Sequence, residues 1–346
     1  MYKIGVCGHF GNEKNLLNGQ TIKTKLITEE LKRHFGSHKL KTIDSHGWKR
    51  NPIKLIIKSF LLMVNCQNII IMPANNGLKV FAPLFFLFKK FFNNKKLHYV
   101  VIGGWLPELL EKNPSLKNIL QKFDTIFVET YKMIEDLDKL GLKNIEYLPN
   151  FKRLEILEEN ELEYNLEEPY KLCTFSRVIK EKGIEDAIEA VKKLNRIFDR
   201  EIFILDIYGQ IDEKYMERFE KLEENFPSYI SYKGMVNFND TVDILKKYFV
   251  LLFPTHFRTE GIPGTIIDAY AAGIPVIASN WNSAEEIIIQ DQTGYIYNFM
   301  QTTELEEILY QIAKEPLRTN SMKKKCLKRA KQYSSKKVIG EFVKHL

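Results

Sequence analysis

Cysteine is scarce. Four occur in 346 residues, at 7, 66, 173 and 326, and no two stand in a C-x-x-C or other paired spacing. That excludes a secreted disulfide framework and a zinc ribbon, and a reducing cytoplasm fits best. No apolar stretch reaches the roughly 18 residues of a membrane span; Lys54, Lys58, Lys89 and Lys90 interrupt the best candidates. The opening MYKIGVCGHFG, with one lysine and a short apolar run, reads as a first strand, not a signal peptide. H-E-x-x-H, G-x-S-x-G and Walker A are missing. Asp136-Leu137-Asp138 falls in a helical pattern instead of a strand-end loop. No carboxylate clamp for a divalent ion is therefore expected, and no metal.

What is present is an ordinary globular composition, 45% hydrophobic and 27% charged. The net charge of +7 is unevenly spread. Residues 1–150 carry a net +11, residues 151–316 a net −13, and residues 317–346 a net +9. Such blocks suggest separate domains with a basic tail. A basic first half suits an anionic partner (nucleic acid, anionic lipid or a phosphorylated substrate) unless the lysines are only a solvated surface. Basic and aromatic residues do not interleave as in a nucleic-acid module, so no nucleic-acid partner is expected.

Short β-branched runs alternate with helical patterns. Strands are expected at Lys3–Val6, Asn68–Met72, His98–Ile102, Thr125–Val128 and Ile145–Leu148. A second series follows at Leu172–Phe175, Ile202–Tyr208, Ile230–Tyr232, Val250–Phe253, Pro275–Ala278 and Tyr295–Tyr297. The acidic stretch EILEENELEYNLEEP separates the series. The expected fold class is α/β, with two doubly wound parallel-sheet, Rossmann-like domains facing across a cleft. The expected divisions are 1–152, a linker at 153–169, a second domain at 170–325, and a basic helix at 326–346 that packs back on the first domain. Ligands of such folds sit where strands end, so the strand-end loops hold the candidates.

The strongest candidate lies in PTHFRTEGIPGTIIDAYAAGIPVIAS. A strand runs into a polar loop, and Glu260 precedes Gly261, Ile262, Pro263 and Gly264, with a helix from Thr265. Such a helix start leaves N–H groups for an anion or sugar hydroxyls. Asp268, one turn on, can face the same cleft. Two carboxylates beside backbone donors suit a polyhydroxylated ligand; the plain reading is a capping acid and a solvated helix residue. Arg177 and Lys182, with Gly183, follow the first strand of the second series. They form a diphosphate clamp if they converge, or a solvated surface if they do not.

The segment Glu260–Asp268 resembles the E-x7-E signature of retaining glycosyltransferases of the GT-B fold, family four, with Asp268 in place of the second Glu. AYAAGIPVIAS and EEII…TGYIY, with Glu286 and Gly294, resemble the family's continuation. Phe175-Ser176-Arg177…Glu181-Lys182-Gly183 resembles its GR-x-x-x-EKG element, Ser176 standing where Gly is common. The likeness is strong over most of 170–300 and weak over 1–150. It implies that Glu260 contacts a donor sugar and Asp268 the nucleotide ribose, while Arg177 and Lys182 hold the donor phosphates. The loop around Val236 would read the nucleobase, and Gly19, in GNEKNLLNGQT, would approach the phosphates, with Gln20 replacing a commoner second Gly. Tyr208-Gly209 matches the end of a family strand and is equally well purely structural.

On the acceptor side stand His9 and Trp105. Trp105 either stacks on a sugar or wedges between helices. His9, and likewise His256 before Glu260, is either a cleft residue or an ordinary histidine. No histidine follows the strand ending near Ile102, where many relatives have one. The implied activity is transfer of a sugar from a UDP- or GDP-sugar to a saccharide or lipid-linked saccharide. It needs no cofactor and serves bacterial polysaccharide synthesis in the cytoplasm, at the inner face of the plasma membrane. Another GT-B enzyme, such as an epimerase or phosphorylase, or a non-catalytic subunit, would use the same fold. Residues 79–98, with five lysines, no acid and a row of phenylalanines, suit an amphipathic helix on an anionic membrane, or else a core stripe at 81, 85, 88 and 92.

Overall fold

The computed structural model describes residues 2–11, 19–164, 167–237 and 240–346. The chain forms two units: residues 1–150 with 335–346, and residues 151–334.

The first unit holds strands β1 (Tyr2–Gly8), β2 (Leu40–Asp44), β3 (Cys66–Met72), β4 (Lys96–Val100), β5 (Thr125–Val128) and β6 (Ile145–Tyr147). They form a parallel sheet in the order β2-β1-β3-β4-β5-β6. Its helices are α1 (Gly19–Phe35), α2 (Pro52–Asn65), α3 (Asn75–Phe91), α4 (Leu106–Glu111), α5 (Pro114–Leu120) and α6 (Tyr131–Lys139). Ile69, Ile70 and Ile71 are all fully buried, as expected where helices cover both faces of a parallel sheet. Pro52 opens α2, and the Asn51 side chain accepts the Lys54 N–H at 3.2 Å. The strand β2 was not expected. As an edge strand it buries only Leu40 and Ile43, with Lys41, Thr42 and Asp44 partly or fully exposed, so no continuous apolar run marks it.

The stretch 79–98 is not one interfacial helix. Helix α3 ends at Phe91, and Lys96–His98 enter β4. Phe81 and Phe85 are core residues, and Phe88 and Phe92 pack against them. Lys89 pairs with Asp124, and the buried Lys95 donates to the Val64 carbonyl at 3.3 Å. The 4-3-4 spacing therefore marks the side facing the sheet.

The second unit holds β7 (Tyr170–Phe175), β8 (Phe203–Tyr208), β9 (Ile230–Gly234), β10 (Val250–Phe253), β11 (Val276–Ser279) and β12 (Gly294–Tyr297), parallel in the order β12-β11-β10-β7-β8-β9. Around this sheet lie α7 (Ile184–Phe198), α8 (Met216–Glu223), α9 (Thr241–Leu245), α10 (Gly264–Ala271), α11 (Ala284–Ile287), α12 (Thr302–Lys314), α13 (Pro316–Asn320) and α14 (Lys323–Ala330). Helix α15 (Ser335–Phe342) returns to the first unit, where Phe342 meets the Phe127 ring edge-on at 4.7 Å.

Two expected divisions need correction. The acidic stretch 153–169 is part of the second unit, not a free linker. Leu154 and Ile156 pack on its core, and the Leu157 N–H donates to the Ala271 carbonyl; Asn165 and Leu166 of that stretch lie outside the described residues. The basic tail 326–346 is not one helix. Cys326 and Ala330 of α14 are buried in the second unit's core, and the chain leaves it only at Ser335.

Each sheet reverses its strand order once, between β1 and β3 in the first unit and between β7 and β10 in the second. Chains leaving the carboxyl ends of two such strands diverge to opposite faces and open a crevice, the usual ligand position in open α/β sheets.

Candidate active site

In the second unit, the loops after β7 and β10 flank the crevice, and these are the loops that carry Arg177, Lys182 and Glu260. The close approach of the two loops depends on glycine. Gly183 has φ +66, and a Cβ there would lie 1.9 Å from the Pro254 carbonyl oxygen. No side chain fits, and the left-handed backbone favours glycine independently. Gly209 has a matching role after β8, with φ +134 and a Cβ position 1.7 Å from the Ser176 oxygen. The Tyr208-Gly209 pair is thus explained by packing.

Lys182 and Glu260 form an ion pair. The ammonium also lies 5.0 Å from the Phe253 ring centroid and 5.2 Å from that of Phe257, within reach of both π faces. Thr255 Oγ1 donates to Glu260 Oε1 at 3.1 Å and accepts the Phe257 N–H at 3.2 Å. Arg177 is exposed, with no carboxylate partner among the described residues. Lys182 and the exposed Arg177 on one loop are cations of the kind that pair with an anionic ligand.

The β10 loop is clipped to the β7 loop a second time. The His256 N–H donates to the Glu181 carbonyl at 2.7 Å, and Nε2 donates to Asp186 Oδ2 at 2.6 Å. The hydrogen bond from Asp186 raises the His256 pKa above its ordinary value, against the opposing effect of burial. Sequence reading noted His256 without a role and missed Asp186, Thr255 and the two phenylalanines. His256 and Asp186 lie 70 positions apart, and no local spacing links them.

Gly261 and Ile262 are buried, and Pro263, Gly264 and Thr265 are half-buried. Pro263 precedes α10 with no side-chain cap, so the helix start keeps backbone N–H groups available. Thr265 Oγ1 is buried and lacks a hydrogen-bond partner among the described residues, an unusual cost that a bound polar group would relieve. Asp268 departs from the open carboxylate expected. It is buried, and its Oδ2 takes the Lys152 ammonium. Desolvation pushes its pKa up while Lys152 opposes the shift. Its other oxygen is not engaged by Lys152. Val236 follows β9, half-buried, after the exposed Met235.

In the first unit, His9 follows β1. Its Nδ1 meets Thr21 Oγ1 at 2.8 Å and its Nε2 meets His46 Nδ1 at 2.9 Å. Burial, then the neighbouring His46, lowers its pKa, against a raising effect of Asp44. Trp105 is half-buried against the core, and its indole N–H donates to the Ile102 carbonyl at 2.8 Å. Gly19 opens α1, and a Cβ there would meet no atom within 4 Å among the described residues outside its own helix backbone. The loop before it, residues 12–18, lies outside the described residues. Among the described residues no cluster of three or more His, Cys, Asp or Glu has metal-ligand geometry.

Known proteins share this architecture. Over the full length of both chains, the structure is similar to Anabaena HepE in complex with UDP and glucose, with a TM-score of 0.74 at 13% identity. That likeness shows the fold, two Rossmann-like units of the GT-B type. An uncharacterized glycosyltransferase of Methanocaldococcus jannaschii is 23% identical over 187 residues, 54% of this chain and 42% of that protein. The capsular polysaccharide biosynthesis glycosyltransferase CapM of Staphylococcus aureus is 26% identical over 148 residues, 40% of this chain and 37% of that protein. The matches thus span less than half the length of these curated relatives. The model of the family described as glycosyl transferases group 1 matches residues 158–333, which include both clipped loops and the whole of β7 to β12. With more than half of its length matched, the chain belongs to the glycosyl transferases group 1 family.

Proposed function

We propose that the chain transfers a sugar from a UDP- or GDP-sugar to a hydroxyl of a saccharide or lipid-linked saccharide. The reading places it in bacterial surface-polysaccharide synthesis (capsule, exopolysaccharide or lipopolysaccharide), in the cytoplasm at the inner face of the plasma membrane. One observation supports the reading: the Lys182–Glu260 ion pair joins the loops that follow β7 and β10, at the strand reversal, and Arg177 lies on the first of those loops.

In this reading Arg177 and Lys182 neutralise the donor diphosphate. As the bond from the anomeric carbon to the β-phosphate oxygen breaks, charge grows on the leaving oxygen, and preorganised cations stabilise that charge more than the ground state. The acceptor oxygen forms the new bond on the same face, and its proton passes to a donor phosphate oxygen, giving retention. Glu260 and the Gly261–Gly264 backbone orient the sugar hydroxyls, with Thr265 in the first turn of α10. The oxygen of Asp268 not engaged by Lys152 takes a ribose hydroxyl, Val236 contributes backbone contacts to the base, and Gly19 lies near the phosphates. His9 and Trp105 belong to the acceptor side. Two side-chain cations take the place of a divalent ion, so no metal is required.

The support from relatives is of the same kind: CapM is named for capsular polysaccharide biosynthesis, and HepE was crystallised with UDP and glucose. Calorimetric titration with UDP and GDP tests the donor assignment. One nucleotide should bind, with affinity falling at least about tenfold in Arg177→Ala, a charge-assisted contact. Binding of neither nucleotide to the folded protein would remove the assignment.

A further inference from the structure

Helix α2 has two apolar faces, and among the described residues only one of them is buried. Leu55, Ser59, Leu62 and Met63 are buried toward the first unit's core. The opposite side exposes Ile53, Ile56, Ile57, Phe60, Leu61 and Val64. Their spacing of 3, 1, 3, 1 and 3 is that of one helical stripe, about 140° wide at about 100° per residue. Ile53 is 71% exposed and Ile57 54%, so this is a solvent-facing stripe and not the margin of the core. Phe60 extends it to the next helix, with its ring 5.5 Å from Phe88 and 5.8 Å from Phe92. Helix α3 adds exposed Leu87 and Phe91. Contiguous apolar surface of this kind marks a contact site.

The charge around the stripe selects the partner. From Ser45 to Pro107 the sequence contains nine lysines and arginines and no acid. Lys54 and Lys58 border the stripe along one edge, exposed and without carboxylate partners among the described residues. A second copy of the chain would set lysines against lysines. An anionic lipid surface accepts both features: the isoleucine, leucine and phenylalanine side chains enter the acyl boundary, and the lysine stems carry their ammonium groups up to the headgroups. No helix among the described residues is long and apolar enough to cross a membrane, so the contact is interfacial.

We propose that the outer face of α2, extended by α3, docks the first unit on an anionic membrane surface. The claim rests on the proposed location at the membrane and supplies a surface for it, and vesicle binding is measured without donor or acceptor. The experiment is co-sedimentation of the full chain with vesicles of pure phosphatidylcholine, and with vesicles containing one part phosphatidylglycerol to two of phosphatidylcholine. Three proteins are compared: wild type, Ile57→Ser/Phe60→Ser/Leu61→Ser, and Lys54→Glu/Lys58→Glu. Wild type should bind the anionic vesicles at least about tenfold more tightly, and high salt should weaken binding. Each variant should lose about tenfold or more while keeping wild-type circular dichroism and nucleotide binding, which separates this result from failure of the donor assignment. The charge-reversal variant leaves the apolar stripe intact, so it tests docking even if the triple variant is unstable. Equal binding to both vesicle types, or binding to neither, overturns the proposal. So does a wild-type dimer that the triple variant converts to a monomer, because the face would then belong to a second copy.

Discussion

Lys182 and Glu260, 78 positions apart in sequence, form an ion pair at the carboxyl ends of β7 and β10. Their side chains are 13% and 17% exposed, so the pair is partly shielded, and each residue sets the electrostatic environment of the other. A donor bringing two phosphates would compete with Glu260 for the ammonium. Glu260, released, would be available to sugar hydroxyls.

Lys182→Ala and Arg177→Ala should each lower turnover about 100-fold or more, the usual cost of losing one donor to a developing oxyanion. Arg177 is exposed, so Arg177→Ala should leave the melting temperature unchanged. Glu260→Gln should lower kcat more than it raises the donor KM, because the amide presents a donor where the sugar needs an acceptor. Steady-state kinetics with thermal melts checks all three. Near-wild-type turnover in both cation variants would dismiss the clamp.

Gly183→Ala should destabilise the second unit by about 1–3 kcal/mol, because the added methyl would sit 1.9 Å from the Pro254 oxygen in a left-handed backbone. The damage should fall on the Lys182 loop first, so nucleotide affinity should drop before the protein melts. Chemical denaturation and calorimetry on the same sample separate the two effects. An alanine variant as stable as wild type would contradict the packing argument.

The frame of the fold was readable because buried parallel strands carry continuous Ile, Val and Phe, as in Asn68–Met72. The edge strand β2 was not readable, since Lys41 and Asp44 break its apolar run. The strand-end positions of Lys182 and Glu260 were legible, because Gly183 and the Gly261–Gly264 run mark where a strand gives way to a helix. The pairings Lys182–Glu260, His256–Asp186 and Lys152–Asp268 were not legible, because each joins segments at least 70 positions apart in sequence that only the fold brings together. The phenylalanine row at 81, 85, 88 and 92 shows another limit: periodicity identifies a face without saying whether core or solvent lies against it. Helix α2 carries both kinds of face.

His256 gives the site a pH dependence whose sign follows from its raised pKa. The folded state holds the proton more tightly than the unfolded state does. The stabilisation is therefore complete below the ordinary histidine value of 6.5 and is lost as pH rises through the raised folded value. The charges facing the ring are Asp186 and Glu181, which favour the proton, and Lys180, which opposes it. Asp186→Asn should move the high-pH fall in melting temperature toward lower pH. It should also reduce kcat at pH 6 through a loosened Glu260 loop. Superimposable pH profiles for the variant and wild type would remove the clip from the account.

Lys152 and Asp268 are 13% and 9% exposed in their side chains. Asp268→Asn removes the carboxylate charge from beside a largely buried ammonium and should cost about 3 kcal/mol. Lys152→Met/Asp268→Leu removes both charges and should recover most of that loss. Denaturation midpoints of the two variants test the pairing, and equal losses would argue that volume, not charge, governs this position.

The central claim is nucleotide-sugar chemistry at the β7–β10 crevice, and release of nucleoside diphosphate from a panel of UDP- and GDP-sugars tests it most directly. One donor should give nucleoside diphosphate and sugar, slowly in water and faster with an accepting saccharide. The rate should persist in EDTA, because Arg177 and Lys182 supply the positive charge, and it should nearly vanish in Lys182→Ala. No release from any donor by the folded protein, or release that EDTA abolishes and Mg²⁺ restores while Lys182→Ala leaves it unchanged, would contradict the account.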